Sequence, residues 1–186
     1  QPIGQDQFGE KFEKQNGDGA SVQGITLELR ANFNRKMQLE SGYTLQSSIF
    51  DKPVQYIDGI AGIREFTRTP NGYGYAILNY TPNKKLNATL NYLYTGKMKV
   101  PHFAGAPNQE NDEIITSDAF SELSTKISYT FTMKKLGNKL ELFTGIKNIF
   151  NAYQNDFDIG KNRDSNYIYG PAQPRTFYIG LKLKSK

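Results

Sequence analysis

The single histidine of the chain, His102, lies between Pro101 and Phe103, and Ser117 and Ser121 follow it closely enough to suggest a hydrolytic pair. Hydrolysis needs a nucleophile, a base and an orienting group brought together. No Gly-x-Ser-x-Gly element supplies the nucleophile here. Cysteine is absent, which removes thiol nucleophiles, thiolate metal sites and disulfides together. An enzyme is therefore disfavoured, and a lone loop histidine reads as a surface or ligand-contact residue rather than a base.

Asp156, Asp158, Gly160, Asn162 and Asp164 place oxygen donors at most alternate positions, a spacing that raises calcium. An EF-hand loop closes with a glutamate at its twelfth position, and Tyr167 stands there instead. A solvated polar loop is the favoured reading, and no metal or cofactor is assigned.

The remaining chemistry is aromatic. Phe50, Tyr56, Phe66, His102, Phe103, Phe157, Tyr167 and Tyr169 fall between the regular segments, where flat rings can stack on a bulky ligand. Tyr92, Tyr94 and Tyr129 lie within those segments and read as an interfacial girdle.

The elements that would position these residues alternate with a period of two, the mark of strands with unlike faces. Ile25, Leu27, Leu29, Ala31 and Phe33 alternate with Thr26, Glu28, Arg30 and Asn32. Met37, Leu39, Tyr43 and Leu45 form a second apolar set, and Ala76, Leu78 and Tyr80 a looser third. Leu86, Ala88, Leu90, Tyr92 and Tyr94 form the fourth, with Leu93 out of phase. Leu123, Thr125, Ile127, Tyr129, Phe131 and Met133 make the cleanest run, followed by Leu140, Leu142 and Ile146 and by Phe177, Ile179, Leu181 and Leu183. About seven long strands follow.

Their connections alternate too. Short turns are expected at Asn34 to Lys36, Thr81 to Lys85 and Lys134 to Asn138, each closing a hairpin. Long polar connections, Ser48 to Thr69, Val100 to Ala119 and Asn151 to Pro174, lie between them. Compact soluble domains seldom keep several structureless loops of about 20 residues. Outer-membrane barrels do, with short turns on one side and long loops on the other. Runs of about 10 to 14 residues also exceed the usual strand of a soluble sheet. The reading is an all-β, antiparallel, up-and-down transmembrane barrel portion. Glu28, Arg30, Glu40, Gln46, Asn91, Glu122 and Lys126 would face its interior.

Composition agrees. Apolar residues make up 37% of 186 positions, yet Tyr and Phe number 12 each, and mean hydropathy is −0.62. No run approaches the roughly 18 apolar residues of a spanning helix. The net charge of +5 raises nucleic acid, but the best basic groups, Lys84 with Lys85 and Lys134 with Lys135, fall in expected turns with no recognition helix. Gln1 to Gly17 is polar, lacks the pattern of a signal peptide and reads as the tail of a loop.

Three short motifs carry a resemblance. Lys147, Asn148, Ile149, Phe150, Asn151, Ala152, Tyr153 resembles an Asn-Leu-Phe-Asp-x-x-Tyr element; Pro174, Arg175, Thr176, Phe177 resembles a Pro-Gly-Arg-Thr-Phe strand entry; and Arg68, Thr69, Pro70 resembles an Arg-x-Pro strand start. In their order along the chain, Arg68 to Pro70 first and the other two about 25 residues apart near the end, they are similar to the C-terminal barrel of TonB-dependent outer-membrane receptors, Bacteroides-type members in particular. The chain departs from that family in ending Leu183, Lys184, Ser185, Lys186 rather than on an aromatic residue.

The resemblance implies a 22-stranded barrel around a plug, of which residues 1–186 would be a partial barrel without the plug and earlier strands. It implies energised uptake of a large scarce nutrient, an iron chelate such as a siderophore or cobalamin rather than an oligosaccharide. The expected partners are outer-membrane lipid, the TonB complex through the missing plug, the small-molecule nutrient and the barrel assembly machinery, with no nucleic acid. The alternatives are a passive structural or adhesive barrel, or a soluble β-sheet binding module. An open sheet leaves edge groups unpaired, so the piece should not insert alone.

Overall fold

The computed structural model describes residues 4–5, 11–12, 18–133, 138–171 and 173–184. Their strands are β1 (Gly4–Gln5), β2 (Lys11–Phe12), β3 (Ala20–Asn34), β4 (Met37–Val54), β5 (Ile63–Glu65), β6 (Gly72–Tyr80), β7 (Leu86–Thr95), β8 (Lys99–His102), β9 (Glu113–Thr116), β10 (Phe120–Met133), β11 (Asn138–Lys147) and β12 (Thr176–Lys184). Among the described residues there is no helix.

Seven long strands pair antiparallel in chain order, β3, β4, β6, β7, β10, β11 and β12, and β5 joins the far end of β4 to complete an eight-stranded sheet. These are the seven alternating runs of the sequence. Among the described residues β3 and β12 each lack a neighbour on one side, so the sheet is open.

The register carries the alternation across every strand. Ile25 faces Leu45, Leu39 faces Leu78, Leu78 faces Leu90, Tyr129 faces Leu142, and Leu142 faces Leu181. Because side chains alternate sides along a strand, these pairings merge seven stripes into one apolar face. That face is bare: Leu27 is 69% exposed and Ile179 76%. A patch spanning seven strands far exceeds what a soluble monomer shows to water.

The opposite face is polar and internally bonded. Arg30 Nε lies 3.3 Å from Glu40 Oε1, Thr26 and Thr44 share a 2.9 Å hydroxyl contact, and Thr89 donates to Asn79 at 2.9 Å. Leu93, out of phase in sequence, lies on this face opposite Tyr75 and Glu122. Two glycines are required here by close approach. Gly145 lies under the Tyr178 ring and against the Thr125 carbonyl, and Gly180 lies under the Phe143 ring, which also takes Lys126 Nζ at 4.8 Å from its centroid. A Cβ at either glycine would overlap the ring above it, so the last hairpin is locked by rings laid over missing side chains.

Both described short turns follow from asparagine. Asn34 Oδ1 accepts from Lys36 N at 2.8 Å, and Asn83 Oδ1 accepts from Lys85 N and Leu86 N at 2.9 and 3.0 Å. Such side-chain acceptors mimic a backbone turn. The third expected turn, with Lys134 and Lys135, lies outside the described residues, as do the start at Gln1, most of the expected loop to Gly17, and the ending at Ser185 and Lys186.

The long connections depart from expectation. β4 runs on to Val54 and pairs with β5, and β8 pairs with β9 inside the stretch expected to be loop. Instead of solvated polar segments, the connections hold the buried residues Ile57, Val100, Ala106 and Tyr167, with Phe120 at the adjoining strand end. The core of the described chain thus sits at one end of the sheet, because the sheet's own apolar side chains have no protein layer to meet.

The face assignment predicts a contrast between neighbours in β10. In the full-length protein, Ile127→Lys should lower the yield of heat-resistant folded barrel in membranes, a cost of about 2 to 4 kcal/mol for a cation at the bilayer midplane. Lys126→Ile, on the polar face, should leave that yield close to the parent's. Equal losses for both would put the faces the other way or deny them.

Candidate functional site

Three connections, residues 55–71, 96–119 and 148–175, meet at the end of the sheet away from the short turns. Backbone geometry prepares the first and the third. Arg68, Asn148 and Asn151 take positive φ angles of 56°, 49° and 54°, a region asparagine tolerates and arginine seldom visits. Arg68 is held there from two sides. Its backbone N donates to Lys99 O at 2.7 Å, while its guanidinium donates to the carbonyls of Ile168, at 2.8 Å, and Asn166.

Asn148 is the knot of the third connection. Its side chain, 2% exposed, donates to Ala152 O at 2.7 Å and Gln173 O at 2.9 Å and accepts from Ala152 N at 2.9 Å. Asn151 Oδ1 accepts from Arg175 N at 2.9 Å, and Arg175 Nε donates to Ile149 O at 2.8 Å. The segments around Asn148 and Arg175, about 25 residues apart in sequence, therefore bond directly to one another. Their side chains close the base of a long loop.

Within the loop, His102 stacks flat on Tyr167, with ring centroids 3.4 Å apart and planes 2° off parallel. His102 Nε2 lies 3.0 Å from Asp158 Oδ1. The other Asp158 oxygen accepts from Asp164 N at 2.9 Å, and the Asp158 side chain is 5% exposed. Asp164 in turn accepts from Phe103 N at 3.2 Å and Asn166 N at 2.8 Å. Asp156 accepts from the phenols of Tyr167 and Tyr169, each at 2.8 Å. Burial first, then the bond to the Asp156 carboxylate, pushes both phenols well above their ordinary value, so they persist as neutral donors. The carboxylates of the 156–164 series are thus acceptors for the chain's own donors, and among the described residues no cluster of three or more metal-ligating side chains forms.

The serines considered beside His102 are engaged elsewhere. Ser117 Oγ accepts from Met98 N at 3.1 Å and donates to Asp118 O at 3.0 Å, and Ser121 Oγ lies 2.9 Å from Tyr92 OH. Gln154, buried, clamps the same loop by donating to Tyr167 O at 3.1 Å and accepting from Tyr169 N at 2.9 Å.

The aromatic set divides by exposure. Phe50 and Phe66 pack together at 4.3 Å, and Tyr56 is half-buried beside Ile57. His102 and Tyr167 are buried, and Tyr169 is half-buried against Phe120 at 5.9 Å. Phe103 and Phe157 are open, the latter 52% exposed, and Tyr153 and Ile159 join them. Phe157, Ile159, Tyr153, Ile168 and Pro171 line a largely apolar groove of about 650 Å³ whose polar edge carries Arg163. A second hollow of about 730 Å³ opens between His102, Asn108, Asp118 and Tyr169. Sequence pattern offers no sign of Gln154 or of Arg68's reach across the loops, because each partner is a backbone carbonyl or amide remote in the chain. Asn148, Asn151 and Arg175 were visible as motif residues, though not as a bonded set.

Solved structures resemble this arrangement. The ferric-catecholate import receptor Fiu from E. coli K12, in a closed form, superposes with a TM-score of 0.61 at 17% identity, covering 98% of this chain and 23% of that one. The siderophore receptor PiuA from Acinetobacter baumannii gives 0.58 at 16% identity, covering 89% of this chain and 22% of that one. The chain thus spans under a quarter of the length of either, and at such identity the likeness establishes the fold. No family model matches the chain, and no curated protein matches it.

Asn148→Ala should remove three bonds from a buried polar knot, at about 1 kcal/mol or more for each group left unpaired. Hydrogen exchange in the full-length protein should accelerate across residues 149–174 while the amides of β10 stay protected. Unchanged exchange in that loop would mean the knot does not hold it.

Proposed function

We propose that this chain is the C-terminal part of a TonB-dependent receptor barrel of the outer membrane, and that the whole protein takes up a large, scarce nutrient by binding it at the long-loop end. The bare apolar face running unbroken across seven strands carries this reading. Hydrocarbon is the solvent that such a face suits, and the bonded polar face suits a lumen filled by water or protein. The motif resemblance and the fold shared with two import receptors support it further.

In this reading the parent barrel has 22 strands and belongs to the Bacteroides-type branch. Strands preceding the described ones pair with β3 and β12, and a plug engages the TonB complex. The assembly machinery inserts the barrel. Uptake involves binding and conformational change, with no covalent step by this chain.

An iron chelate is favoured over cobalamin as ligand, because both structural neighbours are named for ferric or siderophore import. Of the eight aromatic candidates, Phe103 and Phe157 are exposed and would touch ligand directly, and Phe157 lines the groove of about 650 Å³, a size that suits a small molecule. Phe50, Tyr56, Phe66, His102, Tyr167 and Tyr169 would act through the shape they give the loops.

The test is growth. A Gram-negative host stripped of its own siderophore receptors, expressing the full-length protein, should use a ferric catecholate as sole iron source only when TonB is intact. Phe103→Ala with Phe157→Ala should raise the chelate concentration required about tenfold, since two stacking contacts contribute roughly 0.5 to 1.5 kcal/mol each. Growth independent of TonB would contradict the transport reading, and growth on cobalamin alone would move the ligand class.

A further inference from the structure

The two ends of the sheet carry unlike charge. At the short-turn end, Arg35 and Lys36 occupy the turn between β3 and β4, Lys84 and Lys85 that between β6 and β7, and all four are exposed. The two turns are neighbours. Thr81 N donates to Lys36 O at 2.8 Å, Thr130 N donates to Lys85 O at 2.8 Å, and Met37 pairs with Tyr80 between them.

Acid is sparse at this end: Glu141, on the rung of Thr130, is already paired with Lys184 at 2.7 Å. The sequence has no Asp or Glu from Ala31 to Leu39, from Phe66 to Gln109 or from Leu123 to Leu140. The ion pairs among the described residues use Arg30, Lys52, His102 and Lys184, none of them in these turns. Asp112, Glu113, Asp118, Asp156, Asp158 and Asp164 all lie in the long connections instead. Four neighbouring cations that take part in none of these ion pairs repel one another, so an anion supplied from outside would stabilise them.

A second observation says which anion. Just inside these turns the apolar face ends in rings: Phe33, Tyr80, Tyr129 and Phe131 are 62%, 41%, 36% and 46% exposed, and Tyr129 packs on Phe131 at 4.7 Å. Exposed rings at the border of an apolar band mark the level of lipid headgroups. At about 3.3 Å per residue, turns a few residues beyond that border lie within reach of the phosphates. Long basic side chains can lay their stems along the apolar rim and keep the charge at the phosphate, and arginine can grip it through two parallel bonds.

We propose that the short-turn end is a docking surface for anionic phospholipid headgroups of the leaflet it meets, with Arg35, Lys36, Lys84 and Lys85 as the phosphate contacts. The proposal rests on the membrane reading above and goes beyond it. It assigns lipid selectivity to residues remote from the ligand loops.

The experiment uses the full-length protein in phosphatidylcholine bilayers containing spin-labelled phosphatidylglycerol or spin-labelled phosphatidylcholine, and reads the motionally restricted fraction of each. At low ionic strength phosphatidylglycerol should associate several-fold more strongly, up to about fivefold for each cation in contact. The preference should fall toward unity in the Arg35→Gln, Lys36→Gln, Lys84→Gln, Lys85→Gln variant, and in the parent at about 0.5 M salt. The Lys84→Gln, Lys85→Gln pair alone should remove part of it, and Lys161→Gln with Arg163→Gln, in the long loops, should keep it. A parent without preference, or one whose preference survives the fourfold change, would overturn the proposal and leave the turns for a soluble acidic partner. A protein that never enters the bilayer would instead sink the membrane reading, and this inference with it.

Discussion

Everything in this chain depends on satisfying backbone polar groups while one whole face of the sheet carries apolar side chains that no protein layer covers. A strand cannot bond its own N–H and C=O groups, so each ribbon must find a neighbour on each side. The meander from β3 to β12 does this for five of its seven long strands, and the register keeps Ile25, Leu45, Leu78, Leu90, Leu142 and Leu181 on one side throughout. Slipping a single hairpin by one residue would turn its oily stripe inward. The Asn34 and Asn83 turns and the ring-over-glycine pairs of β11 and β12 therefore fix more than local geometry.

Since the sheet's apolar residues have no protein layer to pack on, the buried apolar residues of the described chain gather where the connections meet. Val100, Tyr167 and His102 form a small interior there, tied by Asp158, Asp156 and Gln154 and closed at its base by Asn148, Asn151 and Arg175. Long loops of this kind carry function because a rigid scaffold positions them. Here the loops also hold one another, and Phe103 and Phe157 stand out of that shared interior. In the proposed function, the connected base holds these exposed rings toward a bulky ligand.

The sheet was legible because alternation is local: Leu123 to Met133 declares a strand and its two faces without knowledge of any neighbour. The two described short turns were legible for the same reason, through Asn34 and Asn83. The ends of strands were less so. β4 runs to Val54 through Asp51 and Lys52, where polarity suggests a loop but pairing with β5 continues the ladder. The loop interior was hidden altogether. Nothing near His102 in sequence announces Asp158 or Tyr167, 56 and 65 positions away, or shows that the acidic residues of the 156–164 series bond to phenols, an imidazole and backbone amides. Such partners are set by how three loops converge, and that convergence has no period.

Which solvent each face meets can be measured directly. The chain has no cysteine, so single cysteines placed in turn from Thr176 to Leu183 in the full-length protein can carry nitroxide labels in a bilayer. Collisions with oxygen, which concentrates in hydrocarbon, should peak at positions 177, 179, 181 and 183 and fall at those between, with a polar relaxation agent showing the reverse. Flat accessibility to both agents along the strand, or oxygen favouring the even positions, would contradict the account at its root.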